Sequence, residues 1–313
     1  MKIAFVMDPI SEISYKKDST LAMMIEAQNL EHEIFYIEPK DLYLEANEAL
    51  CLYSPIRVEY NSKSWFRLKE VRKGSLNIFD VILMRQDPPF DMGFIQNTYI
   101  LEKANNKNTL VVNNPSTLRN RNEKLSILNY PDLISDTLVS SSFQILEDFI
   151  QKHKEVVLKP LGLMGGEKIA RVNASMTDLN QIVRDLTEEG REKIMAQKFI
   201  EEVFEGDKRV LLIDGEHFGK AVIRIPQGDD FRGNLAAGAR AQVVDLSERD
   251  IEIVDALKKD LINQGVVLAG IDIVGSFLTE INITSPTCLR ELNDMGDINL
   301  AKKFIERLEK LKS

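Results

Sequence analysis

The sequence predicts a mixed α/β protein of two or three lobes. Three observations carry this. Short β-rich runs alternate with amphipathic stretches through the first third, and smaller α+β patterns fill the rest. The length of 313 residues, with 44% hydrophobic and 28% charged side chains, is enough to build more than one core.

In the first third, residues 3–7, 33–37, 81–84 and 110–113 read as strands, and residues 19–28 carry apolar side chains at helical spacing. This order favours βαβ units around a largely parallel sheet. The sheet ends at the turn-forming run Asn113, Asn114, Pro115 and Ser116, which sets a boundary near residue 120 and lobes at 1–120, 121–200 and 201–313. The middle lobe opens with a helix expected at Glu123. A strand at 156–159, a Gly-rich loop, a strand at 168–172, a helix from Thr177 and a strand at 194–199 follow. The last third gives strands at 208–213 and 218–223, then the loop RIPQGDDFRGNLAAGAR. Ser247, with Asp250 three residues on, caps a helix running towards Asn263, and strands at 267–274 and 277–283 precede a Lys-rich terminal helix.

Composition narrows the function. There is no run of about 18 apolar residues, and the opening MKIAFVMDPI reads as a strand rather than an export signal, so a soluble protein with no membrane partner is expected. Cys51 and Cys288 stand far apart, which suggests neither a disulfide framework nor a cysteine zinc site and fits a reducing cytoplasm. A formal charge of -9 without a Lys/Arg block argues against nonspecific nucleic-acid binding.

The most informative stretch is GIDIVGSFLTEINITSP. Glu280 and Asn282 are two apart on a strand and share a face, presenting two hard oxygen ligands of the kind magnesium takes. Asp272 on the preceding strand joins them only in one register. A two-residue Gly275-Ser276 turn sets it opposite Thr279, whereas a three-residue loop that includes Phe277 sets it opposite Glu280. On spacing alone, an exposed polar strand face is the commoner reading. The glycines of KPLGLMGGEK (Gly162, Gly165 and Gly166) let backbone approach a phosphate, though an ordinary hairpin loop explains them equally well and no Walker A spacing is present. Lys159 and Lys124 are candidate phosphate cations or solvated surface charges. Arg209 and Arg224 lie on neighbouring expected strands, suited to an anionic transition state or to surface ion pairs. Arg85 closes an apolar strand before Pro88-Pro89, a place for substrate carboxylate recognition or for simple strand-end solvation. His32, His153 and His217 have no ligand or dyad spacing and receive no role, and Cys288 reads as a buried free thiol.

Taken in order, LMRQDPPFD, EKL, VVLKP, LMGG, MAQKFI, GDKRVLLIDGE, the RGNLAAGAR loop, GIDIVG and TEINITSPTCLRE resemble the bacterial glutathione synthetases, as does the opening FVMDPI with YKKDST. The resemblance spans essentially the whole chain. It implies an ATP-grasp fold: a Rossmann-like N-terminal pre-ATP-grasp domain, a small central α+β lobe and a C-terminal α+β lobe, with ATP held between the last two. It implies that Lys124, Lys159, Gly165 and Gly166 contact nucleotide, that Gln197, Lys198, Phe199 and Ile200 form the linking strand beside adenine, and that Asp207 faces the ribose. Asp272, Glu280 and Asn282 are implied ligands of two magnesium ions, replaceable by manganese, with Glu280 bridging. Arg209 and Arg224 would assist phosphoryl transfer. Gly233, Asn234 and Gly238 belong to an implied lid over 233–241 that keeps water from an acyl phosphate. Lys17, Arg85, Ser285 and Thr287 are expected to hold the carboxylates of the implied substrates, γ-glutamylcysteine and glycine. A homotetramer is implied as well. The sequence departs from the family pattern at Gly162-Leu163, where Asp-Gly is usual, and at Ala239 and Ala241, where glycines are usual. Competing readings are another ATP-grasp ligase, joining D-alanines or adding glutamate, and an ATP-binding regulatory module without turnover.

Overall fold

The strand Lys2–Met7 is apolar at five consecutive buried positions, so both of its faces must be covered, as in the centre of a parallel sheet. It pairs in parallel with Glu33–Ile37 on one side and Val81–Arg85 on the other, and Leu110–Val112 extends the sheet beyond the latter. The helix Ser19–Asn29 packs across it. Asp18 caps this helix by accepting a hydrogen bond from Leu21 N at 2.6 Å. The computed structural model describes residues 1–61, 63–228, 231–233 and 238–313, and these form an eight-stranded, a four-stranded and a five-stranded sheet. The antiparallel strands Leu42–Glu45, Glu48–Val58, Phe66–Leu68 and Arg72–Ser75 complete the first sheet. The sequence reading has no counterpart for them. Segments such as RKGS are polar and largely exposed, and carry no period-two apolar signal.

The four-stranded sheet runs Ala170–Asn173, Glu155–Pro160, Ile194–Lys198, Thr137–Ser140, all antiparallel. The helices Phe143–His153 and Leu179–Leu186 pack with it around a core of its own, centred on Leu146, Ile150, Val156 and Leu158. The helix expected at Glu123 is instead a short 3₁₀ turn, Leu125–Asn129. The Asn122 side chain accepts from Lys124 N and Leu125 N, both at 3.0 Å, and so tightens the chain, and Pro131 ends it.

The five-stranded sheet is ordered Arg240–Asp245, Lys220–Ile225, Asp207–Ile213, Leu268–Val274, Phe277–Asn282. Behind it lies the helix Glu248–Asn263, opened by the expected capping box. Ser247 Oγ accepts from Asp250 N, and the Asp250 carboxylate accepts from Ser247 N at 2.9 Å. Asp250 is fully buried, and Lys208 Nζ neutralises it from the neighbouring strand at 2.5 Å. The first and third sheets share two continuous apolar clusters, whereas most of the central core stands apart.

One buried side chain rivets the first sheet to the third. Asn113 donates to Leu268 O and Ile283 O, each at 2.7 Å, and accepts from Val267 N and Leu268 N at 2.8 and 2.9 Å. All four partners are main-chain groups, and Asn113 is itself buried. Asn113→Ala should lower stability by about 3 kcal/mol or more, read as a shift of the urea midpoint at unchanged slope.

Candidate active site

The hairpin carrying the acidic residues has a two-residue turn, Gly275 and Ser276, with Val274 opposite Phe277. By the simple register this would pair Asp272 with Thr279. The strand instead bulges: Ile273 pairs with Leu278, but Asp272 pairs with Glu280, leaving Thr279 as the extra residue. The three-residue loop that the metal reading requires is therefore replaced by a tight turn plus a bulge, which sets the same pair opposite one another. Thr279 Oγ1 donates to Asp272 O at 3.2 Å and ties the bulge down.

Asp272 lies opposite Arg209 on the adjoining strand, and Arg209 donates to both of its oxygens, Nη2 to Oδ2 at 2.9 Å. Arg224 approaches the same oxygen at 3.0 Å and donates to Asp207 Oδ2 at 2.5 Å. All but Asp207 are nearly inaccessible. Burial disfavours charge on Asp272, but the two guanidinium groups outweigh it and hold its carboxyl well below the usual range. Burial likewise opposes the guanidinium charges, and the carboxylates more than offset it. Gly270 makes room: a Cβ there would stand 2.9 Å from Arg209 Cδ.

Glu280 and Asn282 line a cavity of about 850 Å³ together with Arg209 and Arg224, while Asp272 sits behind them on its arginines. Glu280 pairs with Lys124 at 3.2 Å, and Asn282 turns its Nδ2 to Gly270 O at 3.2 Å. That leaves carboxylate and amide oxygens towards the cavity, a donor set that fits a hard divalent cation. Among the described residues no three His, Cys, Asp or Glu side chains gather, so such an ion would rest on two carboxylates, one shared with arginines, and one amide.

A second, narrower cleft lies between the four- and five-stranded sheets. Val157, Ile169, Phe199, Ile200, Val203 and Val274 give it apolar walls, and Lys159, Gln197, Lys198, Asp207 and Gly233 also border it. An apolar slot with a polar rim suits a flat heterocycle. Phe199 is braced by Arg171, whose guanidinium sits 4.0 Å from the ring centre. Lys159 donates to Gln197 Oε1 at 2.8 Å, and burial pushes its ammonium pKa down. Gly233 lies against Asp207, whose Cβ would be 2.7 Å from a Cβ placed there. Lys124 reaches the Gly-rich loop, donating to Leu163 O at 2.6 Å. Gly165 borders the large cavity, and Gly166 O accepts from Arg232 at 3.3 Å. Gly238 has a φ of +97°, and Asn234 lies outside the described residues.

The far end of the large cavity is built by the first sheet, and Lys17, Arg85, Ser285 and Thr287 all border it. Arg85 donates to Thr20 Oγ1 at 3.0 Å and to Pro286 O at 3.1 Å. Sequence reasoning assigns nothing to Glu123, yet its carboxylate accepts from Ile283 N at 2.7 Å and from Thr284 N and Oγ1 at 2.9 Å. It thereby anchors the chain next to Asn282 while its neighbour Lys124 meets Glu280. No periodicity marks such a residue; only its place beside Lys124 hinted at it.

With this geometry in place, likeness to known proteins becomes decisive. Residues 1–119 match the family model for the prokaryotic glutathione synthetase N-terminal domain, and residues 123–297 match that for its ATP-grasp domain. The chain belongs to the prokaryotic glutathione synthetase family. It is 43% identical to the glutathione synthetase of Pseudomonas putida over 310 residues, covering 99% of this chain and 98% of that one. It is also 43% identical to that of Escherichia coli over 309 residues, with 99% and 98% covered. Among solved structures, D-cycloserine synthetase DcsG superposes with a TM-score of 0.72 at 14% identity over 100% of both chains. The ATP-grasp ligase PsnB, complexed with minimal precursor, Mg and ADP, gives 0.65 at 14% over 99% of this chain and 97% of that one. Together with the family match over residues 123–297, these likenesses establish the ATP-grasp fold.

Glu123→Ala removes the acceptor for three hydrogen bonds and should lower stability by about 2–4 kcal/mol, whereas Glu123→Gln keeps an amide oxygen there and should cost less than about 1.5 kcal/mol. Urea unfolding of both variants checks the difference, and equal losses would contradict the anchoring role.

Proposed function

We propose that this protein joins the cysteinyl carboxylate of γ-glutamylcysteine to the amine of glycine at the expense of ATP, releasing glutathione, ADP and phosphate. Family membership over the full chain supports this. The single structural observation behind it is the large cavity, where Glu280 and Asn282 meet Arg209 and Arg224 beside a flat apolar cleft.

In this reading adenine enters the cleft beside Gln197, Lys198, Phe199 and Ile200, with Asp207 towards the ribose. Lys124, Lys159 and the backbone of Gly165 and Gly166 hold the phosphates. Asp272, Glu280 and Asn282 would hold two magnesium ions, or manganese, which when bound offset the charge of the phosphate oxygens. Arg209 and Arg224 are fixed in advance by Asp272 and Asp207, so they present positive charge to the transferring phosphoryl group without reorganising. The carboxylate becomes an acyl phosphate, and glycine's amine displaces phosphate from it. Gly233, Asn234 and Gly238 belong to the stretch 233–241 that we assign as a cover, and it excludes water from that intermediate. Lys17, Arg85, Ser285 and Thr287 hold substrate carboxylates.

We assign three lobes, at 1–120, 121–200 and 201–313; the sheets fall one to each and so support this division. Both cysteines are free and buried, which supports a reducing cytoplasmic setting. Among the described residues no helix is long and apolar enough to cross a membrane. The family resemblance supports a homotetramer, which sedimentation would measure.

ADP release should require γ-glutamylcysteine and glycine together and should not be supported by D-alanine or free glutamate; release without dependence on either substrate would sink the ligase reading. Glu280→Gln keeps the size but removes the charge, so turnover should fall by about 100-fold or more while the urea midpoint holds; near-normal turnover would remove Glu280 from the site.

A further inference from the structure

Thr137 begins the edge strand of the four-stranded sheet, opposite Gln197, which on its other side lies opposite Val157. Lys159 follows Val157 by two residues, so Thr137, Gln197 and Lys159 project from one sheet face. Gln197 and Lys159 border the narrow cleft, and Thr137 does not. The three side chains form one hydrogen-bonded row. Lys159 Nζ donates to Gln197 Oε1 at 2.8 Å, Gln197 Nε2 donates to Thr137 Oγ1 at 3.1 Å, and Thr137 Oγ1 donates to Ser135 O at 2.8 Å. Both ends set the direction of this row. An ammonium only donates, so the amide oxygen must face Lys159; a hydroxyl has a single proton, which here goes to Ser135 O and leaves Oγ1 to accept from the amide nitrogen. Gln197 is only 2% exposed, so an amide turned the other way would set N–H groups against the ammonium with little solvent to relieve them. Ser135 is itself held in place: its Oγ donates to Lys198 O at 3.4 Å, and Lys198 N donates to Asp136 O at 2.9 Å. Lys159 forms no ion pair among the described residues, and burial works against its charge, so the Gln197 oxygen is a partner the ammonium needs.

We propose that Thr137 is a positioning residue for the nucleotide: by fixing which end of the Gln197 amide faces Lys159, it holds the ammonium with its two remaining protons free for the phosphates. The assignment rests on the reading of Lys159 as a phosphate contact and deepens it, because it places control of that lysine outside the cleft. Thr137 touches neither base nor phosphate in this arrangement. Its effect must therefore appear only in ligands that carry phosphate, and must vanish when the lysine is removed. A threonine that merely supported the sheet edge would weaken every ligand of the cleft alike.

The test measures binding of adenosine, ADP and ATP to the full chain by calorimetry, with magnesium present. Thr137→Val keeps the branched shape and removes the acceptor, so it should bind ADP and ATP about 10-fold more weakly while adenosine stays within about 2-fold of the wild type. Thr137→Ser restores both the acceptor and the proton, and should return the two nucleotides to within about 2-fold. Lys159→Met should lose more, about 30-fold for ATP with adenosine unchanged, and adding Thr137→Val to it should cost no further affinity, because the two side chains act through one row of bonds. Wild-type affinity for ATP in Thr137→Val, equal weakening of adenosine and ATP, no recovery in Thr137→Ser, or a second loss of about 10-fold on the Lys159→Met background would each overturn the positioning role while leaving Lys159 as a phosphate contact. Lys159→Met that binds ATP as the wild type does would remove the phosphate reading of Lys159, and the positioning role with it. None of these measurements uses γ-glutamylcysteine or glycine, so the outcome is independent of which carboxylate and amine the enzyme joins.

Discussion

Asp272 is the charge on which the site depends. Burying a carboxylate costs several kcal/mol unless its partners are well placed, and Asp272 is held from two sides by Arg209 and Arg224. The arginines in turn are fixed by it, and Arg224 also by Asp207. The result is an alternating row of charges inside one sheet, rigid before any ligand arrives. A catalyst of phosphoryl transfer needs such preset positive charge, because side chains that had to reorient would spend their stabilisation on reorganisation.

Glu280 meets this row only because of a one-residue irregularity. Without the bulge at Thr279, a two-residue turn would send the side chain of Glu280 to the opposite face from that of Asp272. With it, Glu280 and Asn282 share the cavity face above Asp272, and Lys124 reaches Glu280 from the turn following the first sheet. Glu123 holds that turn against the end of the same strand. One short segment therefore joins the hairpin of the third sheet to the Gly-rich loop, since Lys124 also grips Leu163 O.

The packing divides the work of the two openings. The first and third sheets share apolar clusters and are joined by Asn113, so the large cavity between them is bounded by a stiff body. The four-stranded sheet keeps most of its core to itself, and the narrow cleft lies along its seam with the third sheet. A seam crossed by fewer buried contacts is where opening and closing cost least.

Much of this was legible without coordinates. The apolar strands of the first sheet, the capping box at Ser247 and the adjacency of the Arg209 and Arg224 strands follow from periodicity and local hydrogen bonding, which act over a few residues. The order of the motifs indicated the family. The short strands Phe66–Leu68 and Arg72–Ser75 were not legible, because their side chains are largely exposed and it is pairing with Glu48–Val58 that makes them strands. The 3₁₀ turn at Leu125 was missed because a single side chain, Asn122, overrides helical propensity there. Glu123 stayed hidden for another reason: a carboxylate looks alike in sequence whether it is solvated or buried. The opposition of Asp272 and Glu280 was left to a choice between two turn lengths. The sequence by itself determined which residues share strand faces and which caps begin helices, since those are set by near neighbours. Register, burial of charge and the meeting of the two sheets were decided only by tertiary structure, because they depend on pairing between segments far apart in the chain.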